Sequence, residues 1–195
     1  SELLKIGLRQ AGKMQNLIRS ILSTFANEVK PLVPTLIGTD VAPDIQKCAR
    51  EVVQSLSATA GLKGVMLRVI DDEALTLKVA GEAERLERVL YNLLANAIRH
   101  SNEGQTISVS IKEEGDFIQT RVEDQGAGVP EELIDGLFDR FVQGTGHTGQ
   151  VGLGLYFCKI TVEGWGGSIG YTPGSSGICG TQAVRKEILK GGTVK

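Results

Sequence analysis

Apolar residues in the first thirty positions return with heptad spacing. Leu4, Ala11, Ile18 and Phe25 form one series and Leu8, Leu22 and Val29 its partner, interrupted by Gln15. Met14, Leu17 and Ile21 widen the stripe beyond a two-stranded seam. The pattern therefore predicts one helix of a bundle completed by another chain, the alternative being a helix packed on its own domain. Pro31, Pro34 and the turn Gly38-Thr39-Asp40 end it.

A second helix follows Pro43 roughly to Leu56 and is broken by Gly61-Leu62-Lys63-Gly64. Val65, Leu67 and Val69 then alternate with polar residues, as do Leu75, Leu77 and Val79. Two strands joined at Asp71-Asp72-Glu73 make a hairpin the natural expectation. A third helix spans about 83–101. Ile107, Val109 and Ile111, then Ile118, Thr120 and Val122, predict two further strands. Short helical pieces, a helix over about 153–163 and a terminal strand pair complete the chain. Grouped helices and hairpin-linked strands, without regular βαβ alternation, predict an α+β sandwich with a mixed, mostly antiparallel sheet.

The third helix carries two stripes. Leu86, Leu90, Leu93 and Ala97 are apolar; Asn92, Asn96, Arg99 and His100 share a polar face. Two carboxamides one turn apart in an otherwise apolar helix require hydrogen-bonding partners or a ligand. They either satisfy neighbouring backbone groups or offer neutral, hard oxygens to Mg²⁺, a cation that keeps waters and takes phosphate oxygens. Arg99 would then approach a phosphate and the His100 ring would pack on a base.

Asp124 shares the alternation of Ile118, Thr120 and Val122, so it points to the apolar side and needs donors. An adenine amino group is one such donor; capping of the helix after Pro130 is the other use of this carboxylate. The turn Gln125-Gly126-Ala127-Gly128-Val129-Pro130 follows at once. A second glycine turn, Gly149-Gln150-Val151-Gly152-Leu153-Gly154-Leu155, runs straight into a helix. Backbone N–H groups at a helix start bind anions, and Gly152 and Gly154 permit close approach. No Gly-Lys-Ser/Thr follows, so this is not a Walker loop. Between the turns, Phe138 and Phe141 either anchor one end of a lid on the core or belong to the core alone.

Composition adds limits. The 195 residues are 41% hydrophobic and 23% charged with a net charge of -2, which excludes a dominantly disordered chain and gives no broad attraction to nucleic acid. Of 25 glycines many crowd after position 115, Gly144, Gly146 and Gly149 included. Three distant cysteines, Cys48, Cys158 and Cys179, form neither a metal-ligand spacing nor a disulfide framework. A reducing, cytoplasmic setting with Cys48 and Cys158 buried is expected, and no apolar run is long enough to span a bilayer.

In order, these segments resemble the catalytic, ATP-binding domain of sensor histidine kinases, within the superfamily that shares the Bergerat ATP-binding fold. Asn92-Leu93-Leu94-Ala95-Asn96-Ala97-Ile98-Arg99-His100-Ser101 is similar to the N box, and Asp124-Gln125-Gly126-Ala127-Gly128 to G1. Phe138-Asp139-Arg140-Phe141 is similar to the F box and Gly152-Leu153-Gly154-Leu155 to G2. Gly166-Gly167-Ser168-Ile169 and Gly180-Thr181 resemble the closing strands. The likeness covers about residues 42–182.

It implies a catalytic domain over 41–195 and, over 1–34, the second helix of a dimerisation and phosphoacceptor hairpin. ATP and Mg²⁺ are the implied ligands. Asn96 would hold Mg²⁺ with Asn92 assisting, and Asn92 and Arg99 would serve the chemistry. Asp124 would read adenine with support from Thr181, beside His100, Gly126, Gly128 and Val129. Arg140, Gly152, Leu153, Gly154 and Leu155 would surround the phosphates. The implied partners are the kinase's own phosphoacceptor helix, a response regulator receiver domain and a second copy through the N-terminal helix. The His-Glu/Asp acceptor motif is not in this sequence: the histidines are His100 and His147, neither in that context. The chain is therefore expected to bind ATP but not to label itself.

Two departures stand out. Gln150 occupies a G2 position usually held by glycine, and Thr181-Gln182-Ala183-Val184-Arg185 lacks the usual aromatic and Leu-Pro finish. Relatives of the chaperone, topoisomerase and mismatch-repair type hydrolyse ATP with a glutamate four residues before the metal-binding asparagine. Here that position is Asn92, a poor general base, which favours transfer to an acceptor. A serine kinase and a non-catalytic nucleotide-binding or dimerisation module remain the alternatives.

Overall fold

The computed structural model describes Gly7, Met14 and residues 42–71, 76–142, 152–174 and 177–185, the last stretch from Pro173 onward by its backbone alone. The N-terminal heptad pattern, the 31–40 breaks and the Gly144–Gln150 stretch lie outside these residues.

Helix α1 (Ile45–Leu62) starts where Asp44 accepts hydrogen bonds from the Gln46 and Lys47 backbone N–H groups, satisfying two donors the first turn leaves unpaired. It runs one and a half turns beyond Leu56: Gly61 is accommodated within it, and the chain breaks only at Lys63 and Gly64. Strand β1 (Met66–Ile70) leads to α2 (Ala83–His100), then β2 (Thr106–Glu114) and β3 (Phe117–Glu123). A short helix α3 (Glu131–Ile134) precedes α4 (Gly154–Gly164), β4 (Ser168–Gly174) and β5 (Gly177–Arg185).

The sheet order is β1-β2-β3-β5-β4, with β1 parallel to β2 and every other pair antiparallel. This is the expected mixed, mostly antiparallel sheet. Ile107, Val109 and Ile111 on β2, with Ile118, Thr120 and Val122 on β3, are buried in strict alternation and meet the apolar sides of the helices.

Asp72, Glu73 and Leu75 of the expected hairpin lie outside the described residues, and among those described Leu77 and Val79 do not pair with β1. Strand β1 pairs in parallel with β2, which makes β1-α2-β2 a single βαβ unit. Leu77 and Val79 are buried, but their backbone partners lie at the start of α1: the Leu77 carbonyl accepts from Ile45 N (3.0 Å), and Val79 N donates to the Pro43 carbonyl (3.1 Å). Alternation reported one buried side correctly and could not report which segment lies alongside.

Trp165, buried just beyond α4, donates its indole N–H to Glu82 at 3.0 Å while its ring packs over Gly81. The end of α4 is thus fixed to the start of α2, and the two helices meet along their lengths. No helix among the described residues is long and apolar enough to cross a membrane.

Candidate nucleotide site

Leu86, Leu90, Leu93 and Ala97 are all buried, which turns the polar stripe of α2 away from the core and along its rim. Asn92, Asn96 and Arg99 are half-buried there and His100 is exposed. Arg99 Nη1 donates to Asn96 Oδ1 at 2.9 Å, and burial lowers the Arg99 pKa from its ordinary range. Two C-terminal carbonyls of α2 are capped by a side chain: Lys63 Nζ donates to the Ile98 carbonyl at 2.7 Å and to that of Arg99.

Asp124 is buried, as its alternation required, and its Oδ1 accepts from the Gly126 N–H at 2.8 Å. Gly126 lies against the end of α2, where an added Cβ would stand 2.6 Å from the His100 carbonyl oxygen and 2.9 Å from Asp124 Oδ1. Only glycine permits this approach. Pro130 opens α3 with no side-chain cap hydrogen bond, while the Asp124 bond to Gly126 lies within its own turn. Gly128 and Val129 follow, with Val129 N 3.4 Å from the Tyr171 hydroxyl. Thr181 is paired in register with Arg121 and Gly170, three rungs from Asp124 along β3.

The second turn closes on the segment before it. Gly152 has φ +69 and its carbonyl accepts from Phe141 N at 3.1 Å. This bond joins Phe141 to Gly152; residues 143–151, with His147 and Gln150, lie outside the described residues. Phe138 is half-buried, but Phe141 is 64% exposed with φ +65. The ring of Phe141 is thus not an anchor on the core; its backbone makes the join. Leu153 is buried, Leu155 packs on the core, and Gly154, the first residue of α4, faces Asn92, with an added Cβ 3.5 Å from Asn92 Oδ1. The start of α4 thus lies beside the Asn92 carboxamide of α2, and the N–H groups of a helix start suit an anion.

Two cations near this helix start lie over aromatic rings of α4. The Arg140 guanidinium is 4.8 Å from the Tyr156 ring centre, and that of Arg88 is 4.2 Å from Phe157. Arg88 was not among the sequence candidates. Its signal was present, because it lies one turn before Asn92 on the same stripe.

Cys158 lies under Asn92. Burial pushes its thiol up to about 12, against smaller lowering effects of the Asn92 side chain and the Arg88 charge. The folded chain therefore holds this proton more tightly than the unfolded chain, whose thiol titrates near 9. The resulting stability is complete below pH 9 and is lost as pH rises toward 12. Cys158→Ala should lose stability less steeply than the parent between pH 9 and 11 in urea unfolding. Parallel pH profiles for the two would exclude this linkage.

A divalent cation fits the donor set. Among the described residues no three His, Cys, Asp or Glu side chains group to hold a metal. The Asn92 and Asn96 oxygens would supply only part of a coordination shell, as suits Mg²⁺, which takes the rest from phosphate and water. Asn92 Nδ2 is buried with no hydrogen bond of ordinary geometry among the described residues, so its amide is not committed to the backbone.

Residues 81–193 match the family described as histidine kinase-, DNA gyrase B- and HSP90-like ATPase. The probable sensor kinase SilS of Salmonella typhimurium is 27% identical over 176 residues, which cover 86% of this chain and 34% of SilS. The chain thus spans about a third of that relative's length. The catalytic domain of the histidine kinase ThkA is 25% identical with a TM-score of 0.67, over 74% of this chain and 93% of that domain. The Acinetobacter baumannii histidine kinase AdeS shares the fold, with a TM-score of 0.74 at 20% identity over 96% of this chain and 86% of AdeS.

Proposed function

Because this chain belongs to the histidine kinase-, DNA gyrase B- and HSP90-like ATPase family, and its ATP-binding catalytic domain is of the sensor histidine kinase type, we propose that it passes the γ-phosphoryl group of ATP to a histidine on a phosphoacceptor helix. A response regulator receiver domain would take the group in turn. The observation that carries this reading is Asn92. It faces the start of α4 at Gly154, where the hydrolytic relatives would hold a glutamate to activate water.

In this reading Asp124, with Gly126 on the His100 carbonyl, selects the adenine amino group, and His100, Gly128, Val129 and Thr181 complete that end. The N–H groups at Gly152, Leu153 and Gly154 receive phosphates beside Leu155, with Arg140 beside the same helix start. Arg99 leaves Asn96 Oδ1 for a phosphate oxygen. Mg²⁺, held by Asn96 with Asn92 assisting, would supply charge neutralisation between the phosphates. The chain's own contribution is positioning and exclusion of water. A histidine nitrogen lone pair attacks Pγ, the bond from Pγ to the β-bridging oxygen breaks, and ADP leaves with that electron pair. The imidazole proton goes to solvent.

The same reading assigns residues 1–34 to the dimerisation hairpin's second helix, the catalytic domain to 41–195, and the site to the cytoplasm. The test is incubation with γ-labelled ATP and a separate acceptor hairpin carrying its histidine. Acid-labile label on the hairpin is expected. Free phosphate without protein label would establish a hydrolase instead.

A further inference from the structure

Arg88 has no part in the reading above, and its position gives it one. The nucleotide's direction along α2 follows from two contacts. Asp124 and Gly126 close on the His100 carbonyl at the C-terminal end of the helix. The start of α4 faces Asn92, eight residues earlier and about 12 Å back along the axis. Adenine at the first contact and phosphates at the second leave the terminal phosphate pointing toward the N-terminal part of α2. The next residue on that stripe is Arg88, about 6 Å beyond Asn92.

The side chain is seated for such a contact. Its guanidinium lies 4.2 Å from the centre of the Phe157 ring, in the first turn of α4, three residues after Gly154. Phe157 is itself buried and fixed by the core. Contact with a buried ring restrains the guanidinium, so it has less freedom to lose on binding an oxyanion than a fully solvated one. Arg140 on the neighbouring Tyr156 repeats the arrangement, so two adjacent rings of one helical turn each carry a cation beside the same helix start.

We propose that Arg88 binds the γ-phosphoryl group and thereby makes the site prefer a nucleoside triphosphate to a diphosphate. The inference rests on the ATP reading above and not on the identity of the acceptor. Arg99 and Arg88 then bracket the two carboxamides, the first at the inner phosphates and the second at the outer one.

Calorimetry with Mg-AMPPNP and Mg-ADP on the unmodified chain, Arg88→Gln and Arg88→Lys tests it, each variant first checked by thermal unfolding. Arg88→Gln should bind AMPPNP about 10-fold more weakly, as for one lost charged hydrogen bond, with ADP affinity unchanged. Arg88→Lys should recover most of that loss. Equal weakening of both nucleotides, no change with AMPPNP, or a lysine variant as weak as glutamine would each overturn the proposal. Because AMPPNP requires no transfer, a chain that labels no acceptor would sink the kinase reading while this comparison still decides Arg88.

Discussion

Asn96→Ala should abolish Mg²⁺-dependent ATP binding while leaving the fold intact. Asn96 is half-buried on the rim of α2, away from the Leu86–Ala97 stripe, so its truncation opens no core cavity. Loss of a metal ligand costs at least as much as loss of a group that merely orients one, which puts the fall in Mg-ATP affinity at about 100-fold or more. The metal-free affinity should move the other way. Asn96 Oδ1 accepts from Arg99 Nη1 at 2.9 Å, so ATP without Mg²⁺ must draw Arg99 from that oxygen. The alanine variant has no such bond to break, and its metal-free ATP affinity should rise a few-fold, the gain disappearing in Arg99→Met. Calorimetry with and without Mg²⁺ reads both effects. An unchanged Mg²⁺-dependent affinity would remove Asn96 from the site.

What the sequence made legible was whatever one element settles by itself. Asn92, Asn96, Arg99 and His100 fall on one side of α2 because helical spacing puts them there. Asp124 is buried because strand alternation puts it there. Contacts between elements were less accessible. Leu77 and Val79 alternate as a strand would, yet their partners are Pro43 and Ile45, more than thirty positions away. Trp165 meets Gly81 and Glu82 across 83 residues, and no local pattern marks that pair. The Phe138–Phe141 spacing suggested a common anchor, but the positive φ of Phe141 turns its ring out to solvent. Spacing alone gives Arg88 no role, because an arginine on a helix surface is ordinary unless a ring lies beneath it, as Phe157 does here.

The two glycines of the second turn show the same division, and they yield the other large effect. Read from sequence, Gly152 and Gly154 have one purpose, close approach to phosphate. Their surroundings separate them. Gly152 has φ +69, and a Cβ there would stand 2.5 Å from the Val142 carbonyl oxygen, 2.8 Å from Phe141 C and 2.9 Å from Val142 N. All three are backbone atoms, which cannot rotate away. Gly152→Ala should therefore combine left-handed strain of about 1–3 kcal/mol with separation of the Phe141 N to Gly152 O link. A shift of about 1 Å in the start of α4 is enough to slow transfer to an acceptor on the order of 100-fold. Gly154 carries no positive φ, and its added Cβ would meet Asn92 Oδ1 at 3.5 Å, an ordinary contact. Gly154→Ala should unfold in urea at the parent's midpoint, its effect confined to nucleotide affinity through the methyl group beside Asn92. If Gly152→Ala matched the parent's midpoint, or Gly154→Ala were the less stable of the two, the backbone join between Phe141 and Gly152 would not be what fixes the start of α4.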